Sequence, residues 1–230
     1  MKITHTALLT LLLVSSSCLS KNNQSQTELV QKEQETTLET APLTAVELQQ
    51  FETAYFASGC FWCVEAVFES VKGVKEVYSG YSGGTKKNPT YKEVAYGLTR
   101  HAEAVEVYYD PKMISFTQLV QVFFGSHDPT TLNRQGPDRG AQYRSIAFYK
   151  NEEEKKIIEN YIAALQSENI YQGRPIVTEV TKFDTFYKAE EYHQDYERKN
   201  PNNSYIRNVS VPRLNRFKKN FKSLLKEESH

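Results

Sequence analysis

Cysteine is scarce in this chain: three residues in 230, at positions 18, 60 and 63. That is too few for a disulfide-stapled scaffold, so any core must come from apolar packing. Charge of one sign is also lacking. The 28 basic residues are matched by 28 acidic ones, for a formal net charge of +0. Such a balance offers nothing to nucleic acid or to another strongly charged partner. A membrane-spanning stretch is missing too. The apolar run from Ala7 to Val14 falls well short of the ~20 residues that cross a bilayer as a helix. Internal repeats are absent, and no HxxxH-type pair accompanies the two neighbouring cysteines.

What is present divides the chain into four parts. Residues 1–18 have the layout of a secretory signal peptide: Lys2, the apolar run, then small serines up to Cys18. The serines resemble a bacterial lipoprotein cleavage box, with Ser15 where leucine is usual, so lipidation of Cys18 is expected. The expectation is then an exported, membrane-anchored lipoprotein facing the periplasm or the cell exterior; plain export is the alternative. Residues 19–50 are rich in Gln, Glu and Thr and contain no aromatic, which predicts a disordered tether. Residues 51–212 read as the folded domain, and residues 213–230 as a basic amphipathic helix or tail, solvated on the surface.

Within the domain the signals alternate between strand and helix. TAYFAS (53–58), VKEVYSGYSGG, EAVEVYYD (103–110), RSIAFY and IVTEVT predict strands, with EAVEVYYD alternating as a half-buried strand does. SFTQLVQVFFG (115–125) predicts a helix capped by Ser115 and stopped by Gly125. NEEEKKIIENYIAALQS predicts a second, capped by Asn151, with Ile158, Ile162 and Leu165 as its apolar stripe. Strands mixed with helices in this way give an α+β domain.

The densest chemistry lies in GCFWC, Gly59 to Cys63. A helix begins there, judged by the spacing of Trp62, Ala66 and Val67. A thiol at a helix N-terminus meets free N–H groups and a positive partial charge, which predicts a lowered pKa and a nucleophilic Cys60. Cys63, one turn on, can resolve a modified first sulfur by closing a disulfide. Phe61 and Trp62 then frame a small apolar substrate group. Rival readings remain at this point: two buried structural thiols, a zinc site drawing on His101, His127 and His193, or a thioredoxin-like redox pair, although Ser58-Gly59 stand where an aromatic usually precedes the first cysteine.

GCFWC also resembles the signature of the A-type peptide methionine sulfoxide reductases. GYSGG, NPTYKEV, HAEAVEVYYDP, HDPTTLNRQGPDRGAQYRS and YHQDY…NP resemble further blocks of that family, in the same order, from about Tyr55 to Pro201. The resemblance implies a ferredoxin-like two-layer sandwich with a mixed sheet. It implies reduction of the S epimer of methionine sulfoxide, free or in proteins, with no metal and no organic cofactor, and with electrons from a thioredoxin-like dithiol. A monomer is expected. Carried onto this chain, Cys60 becomes the nucleophile, Phe61 and Trp62 the methyl pocket, Glu103 the acid, Tyr91 and Tyr143 the hydroxyls on the sulfoxide oxygen, and Asp138 a supporting carboxylate. His127 and His193 are expected to be structural. One departure stands out. Relatives often carry recycling cysteines near the C-terminus, whereas here Ile206 occupies such a position and no cysteine follows Cys63. The recycling role therefore falls on Cys63.

Overall fold

The computed structural model of the protein describes residues 43–227. The signal segment, Cys18 and most of the tether lie outside the described residues. The expected tether boundary at residue 50 is corrected at its inner end. Thr44 forms a reciprocal capping box with Glu47 at the start of helix α1 (Ala45–Leu48), and Leu48 is buried.

Six strands form the main sheet: β1 (Glu52–Ser58), β2 (Val74–Ser82), β3 (Ala102–Tyr109), β6 (Ser145–Tyr149), β7 (Glu179–Lys182) and β8 (Phe186–Lys188). Their order is β7-β6-β1-β3-β2-β8. Only β6 and β7 pair in parallel, so the sheet is mixed. Two long helices belong to its central unit: α2 (Phe61–Glu69) follows β1, and α4 (Phe116–Gly125) follows β3. Between them lies the short α3 (Tyr91–Ala95). The succession β1-α2-β2-β3-α4-β6 with spatial order β6-β1-β3-β2 is compatible with the expected ferredoxin-like arrangement. A two-stranded ribbon, β4 (Arg134–Gln135) with β5 (Asp138–Arg139), sits in the polar loop after α4. Helix α5 (Glu152–Ser167) precedes β7, with Asn151 accepting from the Glu154 N–H.

Alternation along the strands sorts side chains between two cores. Phe56, Val77, Val105, Val107 and Ala147 belong with Val64, Val67 and Phe68 of α2 and Leu119, Val120 and Phe123 of α4. Tyr55, Ala57, Ala102, Ala104, Ile146 and Phe148 form the other core, with Phe183 and Phe186 packed against them. The Tyr55 and Phe183 rings stack at 3.7 Å. Strand β3 is therefore buried on both faces at its start rather than half-buried, because the stretch around Phe183–Phe186 supplies a cover that local alternation does not reveal.

Two further expectations change. Gly125 does not stop α4 by its backbone freedom; it is the last helical residue, and a Cβ there would lie 2.1 Å from the Phe221 ring. The glycine is needed for close approach. Phe221 ends α7 (Val211–Asn220), which follows the short α6 (Tyr196–Lys199) and whose Arg213 and Phe217 are buried. The segment set apart as a basic tail thus closes the fold: Lys72 N–H bonds Leu224 O and Lys226 N–H bonds Ser70 O. The expected boundary at residue 212 cuts through the core. Among the described residues no helix is long and apolar enough to cross a membrane.

Candidate active site

The site forms where β1 turns into α2. Gly59 has φ +91, a backbone conformation strained for any residue with a side chain. A Cβ there would come within 2.6 Å of Gln135 Cβ. Glycine thus lets β1 turn sharply against the ribbon and present Cys60 as the residue that caps α2. The Cys63 and Val64 N–H groups bond back to Cys60 O at 3.1 and 3.3 Å, which places Cys60 and Cys63 on one turn. Both thiols are free and buried.

The electrostatics of the pair differ from the expectation. The helix start does not leave Cys60 with a lowered pKa: burial pushes its thiol well above the ordinary range, reinforced by its hydrogen bond to Cys63 and the charge of Glu103. Cys63 goes the other way, to about 6, because it accepts that hydrogen bond from Cys60 and feels the cation of Arg213, against the cost of burial. The two sulfurs thus hold one proton between them across neutral pH. Burial of Cys60 and the cation of Arg213 both favour placing the pair's negative charge on Cys63 over Cys60.

Glu103 projects from β3 on the side of α2. It is 1 % exposed, and one carboxyl oxygen accepts the Phe61 N–H at 3.0 Å. Burial outweighs that hydrogen bond and lifts its pKa to about 8, helped by the nearby charges of Asp138 and Cys63. The group is a neutral acid at pH 7 and can give up a proton. Tyr91, at the start of α3, and Tyr143, at the end of a short turn from Ala141, both lie within electrostatic reach of Glu103 and Cys60. Burial raises both phenols, Tyr91 to about 12, so both stay protonated at neutral pH and can donate hydrogen bonds. Asp138, on β5, accepts the Tyr205 hydroxyl at 2.6 Å, and burial raises its pKa.

Phe61 and Trp62 open an aromatic wall. Phe61 is buried beside Tyr81, Tyr91 and His193, with ring centroids 5.9, 6.3 and 4.9 Å away. Trp62 stacks on Tyr196 at 3.7 Å and donates its Nε1–H to His193 Nδ1 at 3.1 Å. That bond puts the imidazole proton on Nε2, and burial lowers the His193 pKa to about 4, so the ring is a neutral prop for Trp62. His127 bonds Phe123 O and Ser145 Oγ, and His101 bonds Lys86 O and the Gly84 N–H. Each histidine of the zinc alternative is thus engaged elsewhere, and among the described residues no group of three metal-ligating side chains occurs.

All the residues singled out in the folded domain converge on one site: Cys60, Phe61, Trp62, Cys63, Tyr91, Glu103, Asp138 and Tyr143. Three more belong to it. Tyr205 bridges Asp138 and Cys63, whose Sγ is 3.8 Å from its hydroxyl. Tyr196 backs Trp62. Arg213, from α7, bonds Ser58 at the end of the strand that leads into the dithiol. Only Tyr196, in YHQDY, had a sequence signal.

A dithiol at a helix start, paired with a buried neutral acid, defines a thiol-dependent reductase. Comparison with known proteins narrows the class. Residues 52–225 match the family model described as peptide methionine sulfoxide reductase. "Peptide methionine sulfoxide reductase MsrA 1" of Rhodopirellula baltica is 51 % identical over 175 residues, 76 % of this chain and 90 % of the relative. "Peptide methionine sulfoxide reductase MsrA" of Polynucleobacter asymbioticus is 44 % identical over 183 residues, 80 % of this chain and 96 % of the relative. Among solved structures, reduced Mxr1 of Saccharomyces cerevisiae aligns with a TM-score of 0.60 at 36 % identity, covering 66 % of this chain and 87 % of that one. Methionine sulfoxide reductase A of Corynebacterium diphtheriae aligns with a TM-score of 0.58 at 38 % identity, covering 65 % and 75 %. The chain belongs to the peptide methionine sulfoxide reductase family, and its reaction is the return of methionine sulfoxide to methionine.

Proposed function

We propose that Cys60 attacks the sulfoxide sulfur while Glu103 protonates the oxygen, with the Tyr91 and Tyr143 hydroxyls hydrogen-bonding that oxygen as charge develops on it. The methyl group rests against Phe61 and Trp62. Net, one sulfoxide and one thiol become one thioether and a sulfenic acid on Cys60. Cys63 then attacks the Cys60 sulfur. An S–S bond forms, the S–O bond breaks, and the oxygen leaves as water. A thioredoxin-like dithiol reduces the Cys60–Cys63 disulfide. The substrate is the S epimer, free or in oxidised proteins. The observation that carries this reading is the buried Glu103, neutral at pH 7 and bonded to the N–H of the residue after Cys60.

The proposal extends to the cellular setting. The layout of residues 1–18 supports an exported, lipid-anchored protein that repairs proteins at a membrane face. The test of the chemistry uses the full chain, a methionine sulfoxide peptide of defined epimer, and dithiothreitol. Reduction of the S epimer alone, abolished by Cys60→Ser, is expected. Turnover surviving Cys60→Ser overturns the assignment.

A further inference from the structure

Arg213 is 7 % exposed. Its guanidinium makes three hydrogen bonds, to Ser126 O at 2.7 Å, Ser58 O at 3.0 Å and Ser58 Oγ at 3.1 Å. All three acceptors are neutral. Among the described residues no carboxylate lies within ion-pair distance of it. A buried cation without a paired anion is costly and is kept where something compensates it. Its position suggests what. Ser58 ends β1 two residues before Cys60, and a Cβ on Gly59 would lie 3.5 Å from Nη1. The fork is therefore clamped to the strand end that carries the dithiol.

We propose that Arg213 is a positioning residue for the redox step, the fixed counter-charge that holds Cys63 as the thiolate which resolves Cys60. This rests on the reading of Cys63 as the resolving thiol. The groups around Cys63 leave Arg213 as the cation that acts on it. Cys60 shares its proton, Glu103 is a neutral acid, and Tyr205 and Ser210 are hydroxyls. His127, the nearby base, is held neutral by burial and by Arg213 itself. Asp138, the other anion Arg213 reaches, already accepts the Tyr205 hydroxyl. The Cys63 thiolate is thus the anion left for the guanidinium to stabilise. When that thiolate attacks the Cys60 sulfenic acid, it is oxidised, Cys60 is reduced, and hydroxide leaves to be protonated. The guanidinium gives up its partner only at that moment.

The experiment is the pH profile of Cys63 alkylation by iodoacetamide in the full chain carrying Cys60→Ser, whose hydroxyl still donates to Cys63. Arg213→Gln is expected to move the midpoint up by about one pH unit or more. In the Cys60 protein the same substitution slows disulfide closure about tenfold after one equivalent of sulfoxide. Arg213→Lys, which keeps the charge and loses the fork, holds the midpoint within about half a unit. A folded Arg213→Gln protein with an unmoved midpoint overturns the proposal and leaves Arg213 a hydrogen-bond hub. If Arg213→Gln does not fold, Arg213→Lys decides: a retained midpoint supports the counter-charge, and a rise to the ordinary thiol range overturns it. Failure of the underlying reading shows separately, as full thioredoxin-coupled turnover in Cys63→Ser.

Discussion

A carboxyl group held neutral at pH 7 keeps a proton that an exposed glutamate has already lost. Glu103 has its pKa at about 8, with burial as the main cause. Its proton is present below that value and lost above it. The rate of methionine formation in a single turnover is therefore expected to fall as pH rises through about 8. Glu103→Gln removes this alkaline limb and lowers the rate by about 10²–10⁴, with a smaller change in substrate affinity. A stopped-flow pH profile of both proteins checks it; an alkaline limb that survives in Glu103→Gln contradicts the role. The same burial has a cost in stability. The raised acid favours the folded state less as pH climbs from the usual carboxylate range to about 8. Glu103→Gln should gain stability relative to wild type over that interval, by at most about 1.4 kcal/mol per pH unit, measurable as urea midpoints at pH 5 and pH 8. At this scale the sequence was informative where chemistry is contiguous. Cys60, Phe61, Trp62 and Cys63 are adjacent, and Glu103, Tyr91, Tyr143 and Asp138 sit in recognisable blocks. Tyr205 and Arg213 were not legible, because nothing local marks them; they join the dithiol only through folding. The opposite directions of the two thiol pKa values were hidden for the same reason, since burial of Cys60 and the approach of Arg213 are both tertiary facts.

The turn and the last helix set the site's precision at the scale of elements. Gly59→Ala places a side chain at φ +91 and against Gln135. The backbone strain alone costs about 1–3 kcal/mol, and the displaced ribbon carries Asp138 with it. A lower thermal midpoint together with reduced activity is expected; a wild-type midpoint would show that the turn relaxes freely. Helix α7 matters through Phe217, 1 % exposed. Phe217→Ala should cost about 3–5 kcal/mol, visible in denaturant unfolding, because the helix is part of the core that bears Arg213. A cost under about 1 kcal/mol would restore the view of this segment as a surface tail. Its sequence, RLNRFKKNFKSLLK, is basic enough to look solvated. The buried face is narrow, and a guanidinium inside the core defeats a reading in which charge means surface. The other five strands of the main sheet were legible from their apolar patterns, and the helices capped by Ser115 and Asn151 from period and caps. β8 was not: it is three residues long and pairs with β2 across more than a hundred residues of chain.

Across the whole molecule, the balanced charge and the lack of a membrane-spanning helix among the described residues leave the proposed anchor to residues 1–18. Intact mass of membrane-extracted protein should show a chain beginning at Cys18 with acyl mass added. A mature N-terminus beyond Cys18 removes the anchor and leaves the reductase as it stands.

The proposed catalytic cycle runs through a local disulfide between two cysteines that share one helical turn, Cys60 proposed to attack and Cys63 to resolve. The most direct test is peptide mapping of wild-type protein quenched after one equivalent of methionine sulfoxide, with thioredoxin-coupled turnover of Cys63→Ser measured beside it. A Cys60–Cys63 disulfide is expected in the wild type. In Cys63→Ser one stoichiometric reduction should remain, with trappable sulfenic acid on Cys60 and no sustained turnover. Free Cys63 in the mapped wild type, with full coupled turnover in Cys63→Ser, would contradict this account, because the reductant would then be attacking Cys60 directly.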